Sequence, residues 1–396
     1  MAQDVLQDNQ LLFDVIKKVL WDTGSPSADE AVFQEMKTQA IALLAGPVLM
    51  DLGLSEELFQ AWEKNNIMAL ARYQKCIRAQ AALPITVPYV ILKGTSAAQY
   101  YPYPEYRMLG DIDVMASHEN YRKVCEMLLL HGYEEHTNAV DQYLDRHRGF
   151  TKNGILIEVH SFYGLRDDKE EVKALDDFII DNISESHVLP DLINGLTLIE
   201  HINHHMESGL GLRQVIDWMM FVHQCLPDNQ WPEFEKMAEK TGHVRLAKTV
   251  TRMCEIYLGL PEHQWCAQID DSLCADFMDY LLSCGNFGRK KERDSQTSEF
   301  LLSTPSLKAK IITLKQRGVM TWKLAQKYPA LRSVAWLYQA GRYLIKGLFR
   351  RNPIKKIKAE FQSSRKSNEL FDAIGVSREK KGRVTYQNGQ YLTNKH

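Results

Sequence analysis

Asp111 and Asp113 stand two residues apart in Asp111-Ile-Asp-Val-Met-Ala116, a run that reads as a β-strand. Strand alternation puts both carboxylates on one face and sends Ile112 and Val114 to the other. Two acids in one small volume repel, so either one takes up a proton or a divalent cation neutralises the pair. Ligation by oxygen alone suits Mg²⁺ or Mn²⁺. A third carboxylate, Glu158, is flanked by Ile157 and Val159 in a second β-rich run. A glutamate among β-branched core residues is rarely buried unless it is paired or holds a metal. Three acids on neighbouring strands can hold two ions about 4 Å apart, one at an attacking hydroxyl and one at a leaving pyrophosphate. The alternatives are a solvated turn for the Asp pair and an ordinary structural carboxylate for Glu158.

A phosphate-binding element precedes the acids. Leu92-Lys-Gly-Thr-Ser-Ala-Ala98 reads as strand, glycine and a hydroxyl opening a helix. Free N–H groups at such a turn attract anions, and Gly94 lets a phosphate approach the backbone. Thr95 and Ser96 supply the hydroxyl, while Lys93 and Arg107 are the cations expected to cover triphosphate charge. The competing reading of these two cations is surface charge or salt bridges to the acids. Further on, His201, His204 and His205 share one helical segment. His201 and His205, at i and i+4, have the spacing of metal ligands, but no third ligand accompanies them, so packing or substrate lining is the favoured reading.

These residues need elements to hold them. Residues 1–84 read as a helical region, with apolar positions at Leu11, Leu12, Val15, Ile16, Val19 and Leu20. Residues 85–165 change period. Val87 to Lys93, closed by Gly94, and Asp111 to Ala116 read as strands, Glu119 to Leu130 as a helix, and Phe150 to His160 as a hairpin about Asn153-Gly154. Residues 166–288 return to helices, including Leu196 to Met206 and Leu212 to Cys225 with a glycine break between them. Residues 289–396 form a basic helical C-terminal region with a polar tail, closing on a small hairpin between Arg383 and Leu392. The fold class expected is α+β, a small mixed sheet with helices flanked by helical domains.

Composition narrows the function. The 396 residues are 45% hydrophobic and 25% charged, which excludes collagenous, low-complexity and wholly disordered classes. Seven scattered cysteines without a Cys-x-x-Cys pair argue against a disulfide framework or a zinc finger. The start of the chain has no basic and apolar leader, and the longest uncharged apolar run, Thr38 to Met50, falls short of the roughly 20 residues that span a bilayer. A cytoplasmic protein is expected. The net charge of −2 hides an asymmetry: residues 1–288 hold 23 Lys and Arg against 43 Asp and Glu, and residues 289–396 hold 25 against 7. Leu331, Val334, Leu337, Tyr338, Ile345 and Leu348 recur at helical spacing within this acid-poor stretch. Three readings stay open: docking of the basic region against the acidic body or in an oligomer, peripheral contact with an anionic membrane surface, and, less favoured, nucleic acid.

Taken together, Val90-Ile-Leu-Lys-Gly-Thr95, Arg107-Met-Leu-Gly-Asp-Ile-Asp-Val114, Ile157-Glu-Val-His160, His201-x-x-x-His205 and Arg213-x-x-x-Asp217 resemble the nucleotidyltransferases of the DNA-polymerase-β-like superfold. Within it, the similarity is to the uncharacterised bacterial nucleotidyltransferase group, over roughly residues 85–225. The superfold's usual Gly-Ser is Gly94-Thr95 here, with Ser96 as a substitute, and the gap to Asp111 is longer than in minimal members. The resemblance implies a Mg²⁺- or Mn²⁺-dependent transfer of a nucleoside monophosphate from an NTP to an acceptor. Asp111, Asp113 and Glu158 would be its catalytic and metal residues, Lys93, Gly94, Thr95, Ser96 and Arg107 its nucleotide-binding residues, and His160, His205, Arg213 and Asp217 would line the substrate. The competing class is a catalytically inactive nucleotide- or partner-binding module that retains the fold.

Overall fold

The computed structural model describes residues 7, 9–24, 26–136, 147–164, 170–206, 208–290, 307–348, 353–376, 384–387 and 390–393. The chain opens with α1 (Gln10–Trp21), α2 (Glu30–Thr38), a 3₁₀ segment (Ala42–Asp51) and the long α3 (Glu56–Ala81). Asp29 caps α2 and Ser55 caps α3, each side chain accepting a backbone N–H of the first turn. The apolar run that looked long in sequence becomes this 3₁₀ segment. Its Ala42 carbonyl takes the indole N–H of buried Trp62 at 2.9 Å, and among the described residues no helix is long and apolar enough to cross a membrane.

The α/β core follows as β1 (Tyr89–Leu92), α4 (Gly94–Ala98), β2 (Ile112–Ala116), α5 (His118–Leu130), β3 (Glu134–Glu135), β4 (His147–Lys152) and β5 (Ile155–His160). The five strands form one mixed sheet in the order β1-β2-β5-β4-β3. β1 pairs antiparallel with β2, β2 runs parallel to β5, and β4 and β5 close an antiparallel hairpin. Asn153 at φ 53° and Gly154 at φ 76° make the hairpin turn, the paired positive φ values that the Asn-Gly dipeptide supplies.

Strand alternation divides the sheet between two cores. Ile112, Val114, Ile157, Val159 and Phe150 pack with Val124, Cys125 and Leu128 of α5. Val90, Leu92 and Met115 face the other way, into a larger cluster built by the helices. Those helices are α6 (Glu170–Asp181), α7 (Asp191–His205), α8 (Leu212–Cys225), α9 (Trp231–Lys240), α10 (Val244–Leu258) and α11 (Asp271–Cys284). The same cluster takes in Phe13 and Ile16 of α1 and Trp62 of α3, so the first helices and the middle helices share one core.

The basic region contains α12 (Leu307–Thr321), α13 (Lys323–Lys327), α14 (Ala335–Leu348) and α15 (Pro353–Ile374). α12 and α14 meet closely at Gly318, where a Cβ would stand 2.0 Å from the Ala335 carbonyl oxygen. Trp322 stacks on Tyr338, centroids 4.9 Å apart. Leu337 and Ile345 are exposed on α14. The end of α15 docks on the body, where Leu370, Phe371 and Ile374 join the main core, and at the start of the basic region Lys290 pairs with Glu35 at 2.6 Å. The closing hairpin forms from β6 (Val384–Gln387) and β7 (Gln390–Thr393).

Candidate active site

A cavity of about 270 Å³ opens between the site-bearing face of the sheet and the ends of α7 and α8. Its strand wall follows from register. Asp113 in β2 lies directly opposite Glu158 in the parallel neighbour β5, and His160 is two residues further along β5 on the same face. Asp113, Glu158 and His160 each bring a donor atom within 4.8 Å of the others. Asp111 precedes β2 by one residue and lines the same cavity. The expected common face of the two aspartates is therefore present, with Asp113 buried in the strand and Asp111 partly exposed.

α3 fixes the start of β2 from behind. The Arg72 guanidinium donates to the carbonyls of Gly110 and Gly154, at 2.5 and 2.7 Å. One side chain thus ties the residue before Asp111 to the hairpin turn that carries β5.

Lys93 holds the centre of the acid cluster. Its Nζ lies 2.7 Å from Asp113 Oδ1, and the same oxygen accepts a hydrogen bond from His160 Nε2 at 2.8 Å. Burial would push the Asp113 carboxyl up, but the Lys93 charge and the His160 hydrogen bond hold it well below the usual carboxylate range. Burial would lower Lys93, yet Asp113, Asp111 and Glu158 together keep its ammonium above the ordinary value. Burial carries His160 down to about 4, against the upward pull of Asp113. His160 is thus neutral at pH 7 and carries its proton on Nε2, facing Asp113, while its Nδ1 is buried without a hydrogen-bond partner. Lys93 also sits at φ 53° and ψ −140°, a backbone region that favours glycine and is strained for other residues.

The structure does not bring every expected residue to the cavity. Gly94 lines it, but the Thr95 hydroxyl is spent on Gln80 at 2.7 Å and the Ser96 hydroxyl on the Lys93 carbonyl at 2.7 Å. Arg107 lines it with its guanidinium committed elsewhere: Nε and Nη2 donate to the two carboxylate oxygens of Asp217 at 3.0 and 2.5 Å. Both residues are buried, and Tyr101 donates a further hydrogen bond to Asp217 at 2.8 Å. Arg107 and Asp217 therefore form a buried ion pair linking the β2 approach to α8, in place of the separate triphosphate and substrate contacts expected of them. His205 and Arg213 do reach the cavity, with His201 and His204.

Besides Gly110, four lining side chains had not been singled out: His147, Tyr163, Glu200 and Phe287. Glu200 accepts from Asn203 and pairs with His243, both at 2.9 Å. Its signal was available, an acid between Ile199 and Ile202 on a helix. Phe287 sits in Asn-Phe-Gly, which reads as a segment boundary. Its role emerges only where the α7–α8 turn meets residues 286–288. A Cβ on Gly209 would stand 2.2 Å from the Gly288 nitrogen, and Phe287 N–H donates to the Gly209 carbonyl at 2.9 Å. That close approach brings the Phe287 ring to within 5.7 Å of the Arg213 guanidinium.

A model of an uncharacterised nucleotidyltransferase family matches residues 29–259, more than half of the chain. The chain belongs to that nucleotidyltransferase family. The five-stranded mixed sheet with its acid pair is the nucleotidyltransferase core, flanked by helices. No curated protein and no solved structure matches the chain. The family's chemistry calls for a divalent metal, and the strand wall holds a group that could bind one: the register-paired carboxylates of Asp113 and Glu158 and the His160 ring, each with a ligand atom within 4.8 Å of the others.

Proposed function

We propose that this nucleotidyltransferase moves a nucleoside monophosphate from an NTP to a hydroxyl or amine acceptor, using Mg²⁺ or Mn²⁺ and releasing pyrophosphate. The observation that carries the reading is the parallel register of Asp113 and Glu158 with Asp111 on the same cavity. A bound ion there would screen triphosphate charge and stabilise the charge that develops as the α-phosphorus changes partners. Asp111, Asp113 and Glu158 would hold it. Glu158, partly exposed at the cavity surface, is also placed to orient or deprotonate the acceptor. Lys93 would leave Asp113 and follow the phosphates, and the Gly94 backbone would let them approach β1. Catalysis by this arrangement is positioning and charge neutralisation, without a covalent enzyme intermediate.

One observation favours the competing class, an inactive binding module: an ammonium already neutralises Asp113 at 2.7 Å. The two readings separate in one assay. The full chain is incubated with labelled ATP, CTP, GTP and UTP, Mg²⁺ and a cell lysate, and label is followed onto protein, lipid, sugar and RNA fractions. Label transferred by the wild type and lost in Asp111→Asn supports transfer. Nucleotide bound but never transferred would leave the binding module.

A further inference from the structure

The cavity has a second wall, built by helices, which carries both Glu200 and the cationic Arg213. His201 and Arg213 line it from the end of α7 and the start of α8. His201 is 6% exposed, and its Nδ1 has no hydrogen-bond partner. The Nε of Arg213 is likewise buried and unpartnered, and the Phe287 ring flanks its guanidinium.

The contrast with Arg107 is informative because the two arginines line the same cavity. Asp217 lies one turn after Arg213 on α8, where it could have paired with it. Instead both its oxygens are taken by Arg107. Arg213 is left partly buried, felt by Asp217 and Asp111 but ion-paired with neither, and an anion reaching the cavity would complete its contacts. Burial and the neighbouring Arg107 push its guanidinium below the ordinary value. Burial and then His205, Lys93, Arg213 and Arg107 push His201 down, which keeps its ring neutral.

We infer that Arg213 and His201 form a binding site for a phosphoryl group on the helical wall, facing the acids across the cavity. A guanidinium and an adjacent imidazole give a phosphoryl group charge-assisted donors from two directions. This assignment rests on the nucleotide-transfer reading, under which the group is either the terminal phosphates of the NTP or a phosphate carried by the acceptor. It replaces Arg107 as the cation for that charge.

The test is calorimetric titration of the full chain with inorganic phosphate, pyrophosphate and each of the four NTPs, with and without Mg²⁺. Because it loses a hydrogen bond to a charged group, Arg213→Gln should weaken the recognised anion at least about tenfold. His201→Asn should weaken it less, and Asp111→Asn without metal should leave it unchanged or tighter. A loss shared by pyrophosphate and the NTPs assigns the site to the nucleotide. A loss confined to inorganic phosphate, with NTP affinity intact, assigns it to the acceptor. If Arg213→Gln does not fold, Arg213→Lys, which keeps the charge but loses the fork, should bind with intermediate affinity beside His201→Asn. Folded Arg213 and His201 variants that bind every probe as the wild type does would overturn the site, as would a wild type that binds none at millimolar concentration. Arg213-dependent phosphate binding in a chain that transfers no nucleotide would sink the transfer reading and leave this site standing. Full transfer with unchanged binding in Arg213→Gln would do the reverse.

Discussion

The two walls of the cavity follow different construction rules. On the strand wall, position in sequence dictates position in space: Asp113, Glu158 and His160 share a face because strands alternate and β2 runs in register with β5. On the helical wall, His205, Arg213 and Phe287 meet because a glycine turn packs against residues 286–288. The first wall concentrates carboxylates and neutralises them from within, through Lys93. The second carries Arg213 among histidines, and Asp217, one turn further along α8, is taken by Arg107. A nucleotide carries both needs, metal-bound oxygens and unscreened phosphate charge, and a cavity with two such walls meets each separately.

The comparison breaks most sharply at the aspartates. Asp111→Asn and Asp113→Asn should each reduce transfer at least about 100-fold, because each removes charge aimed at the reacting phosphorus. They should differ in stability. Asp111 is partly exposed, and its loss should leave the melting temperature unchanged. Asp113 is buried against Lys93 and His160, so its loss should cost roughly 1–3 kcal/mol by removing the charge that pairs with the Lys93 ammonium and strengthens both hydrogen bonds. Activity assays with thermal melts check both. Equal melting of the two variants would mean that the strand wall is not organised around Asp113.

Arg107 sharpens the comparison from the other side. Breaking a buried ion pair costs about 3–5 kcal/mol, so Arg107→Met should lower stability by an amount of that order. Asp217→Asn should do nearly the same, and the double variant should lose much less than the sum. A stable Arg107→Met that binds NTP weakly would return Arg107 to the phosphate role that its place in the sequence suggests.

That outcome bears on how much of the molecule was legible beforehand. The Asn-Gly hairpin and the helices read over Leu196 to Met206 and Leu212 to Cys225 follow from periodicities of two and of 3.6, and the structure has them, with Asp111, Asp113 and Glu158 placed on one cavity. Lys93 was legible as a cation near phosphate, though its present partner is Asp113. The Arg107–Asp217 pair was not legible, since it closes a separation of 110 residues and nothing local marks it. Thr95 and Ser96 look like capping hydroxyls, yet Gln80 and the Lys93 carbonyl absorb them. The charge asymmetry was visible in composition, but only the packing of Leu370, Phe371 and Ile374 shows where α15 docks.

His160 supplies a pH signature for the strand wall. Its folded value is about 4, below the roughly 6.5 of an unfolded histidine. Between these values the unfolded chain binds the extra proton, so stability rises with pH across the window and falls as pH drops from 6.5 towards 4. His201, also depressed by burial, adds to the same slope. The His160 share is of order 2–3 kcal/mol, and His160→Gln should flatten the slope of urea-unfolding free energy over that range. An unchanged slope would show that the ring is already protonated against Asp113.

The smallest effect expected is at Lys93, and it tests whether the strand wall neutralises itself. The ammonium sits where Asp113, Asp111 and Glu158 all raise its affinity for a proton, so an incoming divalent ion must compete with it. In Lys93→Gln the acids lose their internal counter-charge. Without metal the variant should melt lower than the wild type. With Mg²⁺ or Mn²⁺ it should recover, binding the ion roughly tenfold more tightly because no ammonium is displaced. Its transfer rate should nevertheless fall, since the same side chain is lost to the phosphates. Metal titrations followed by thermal shift separate the two roles. Tighter metal with slower transfer places Lys93 on both, whereas unchanged metal affinity would mean that the ammonium and the ion occupy different parts of the wall.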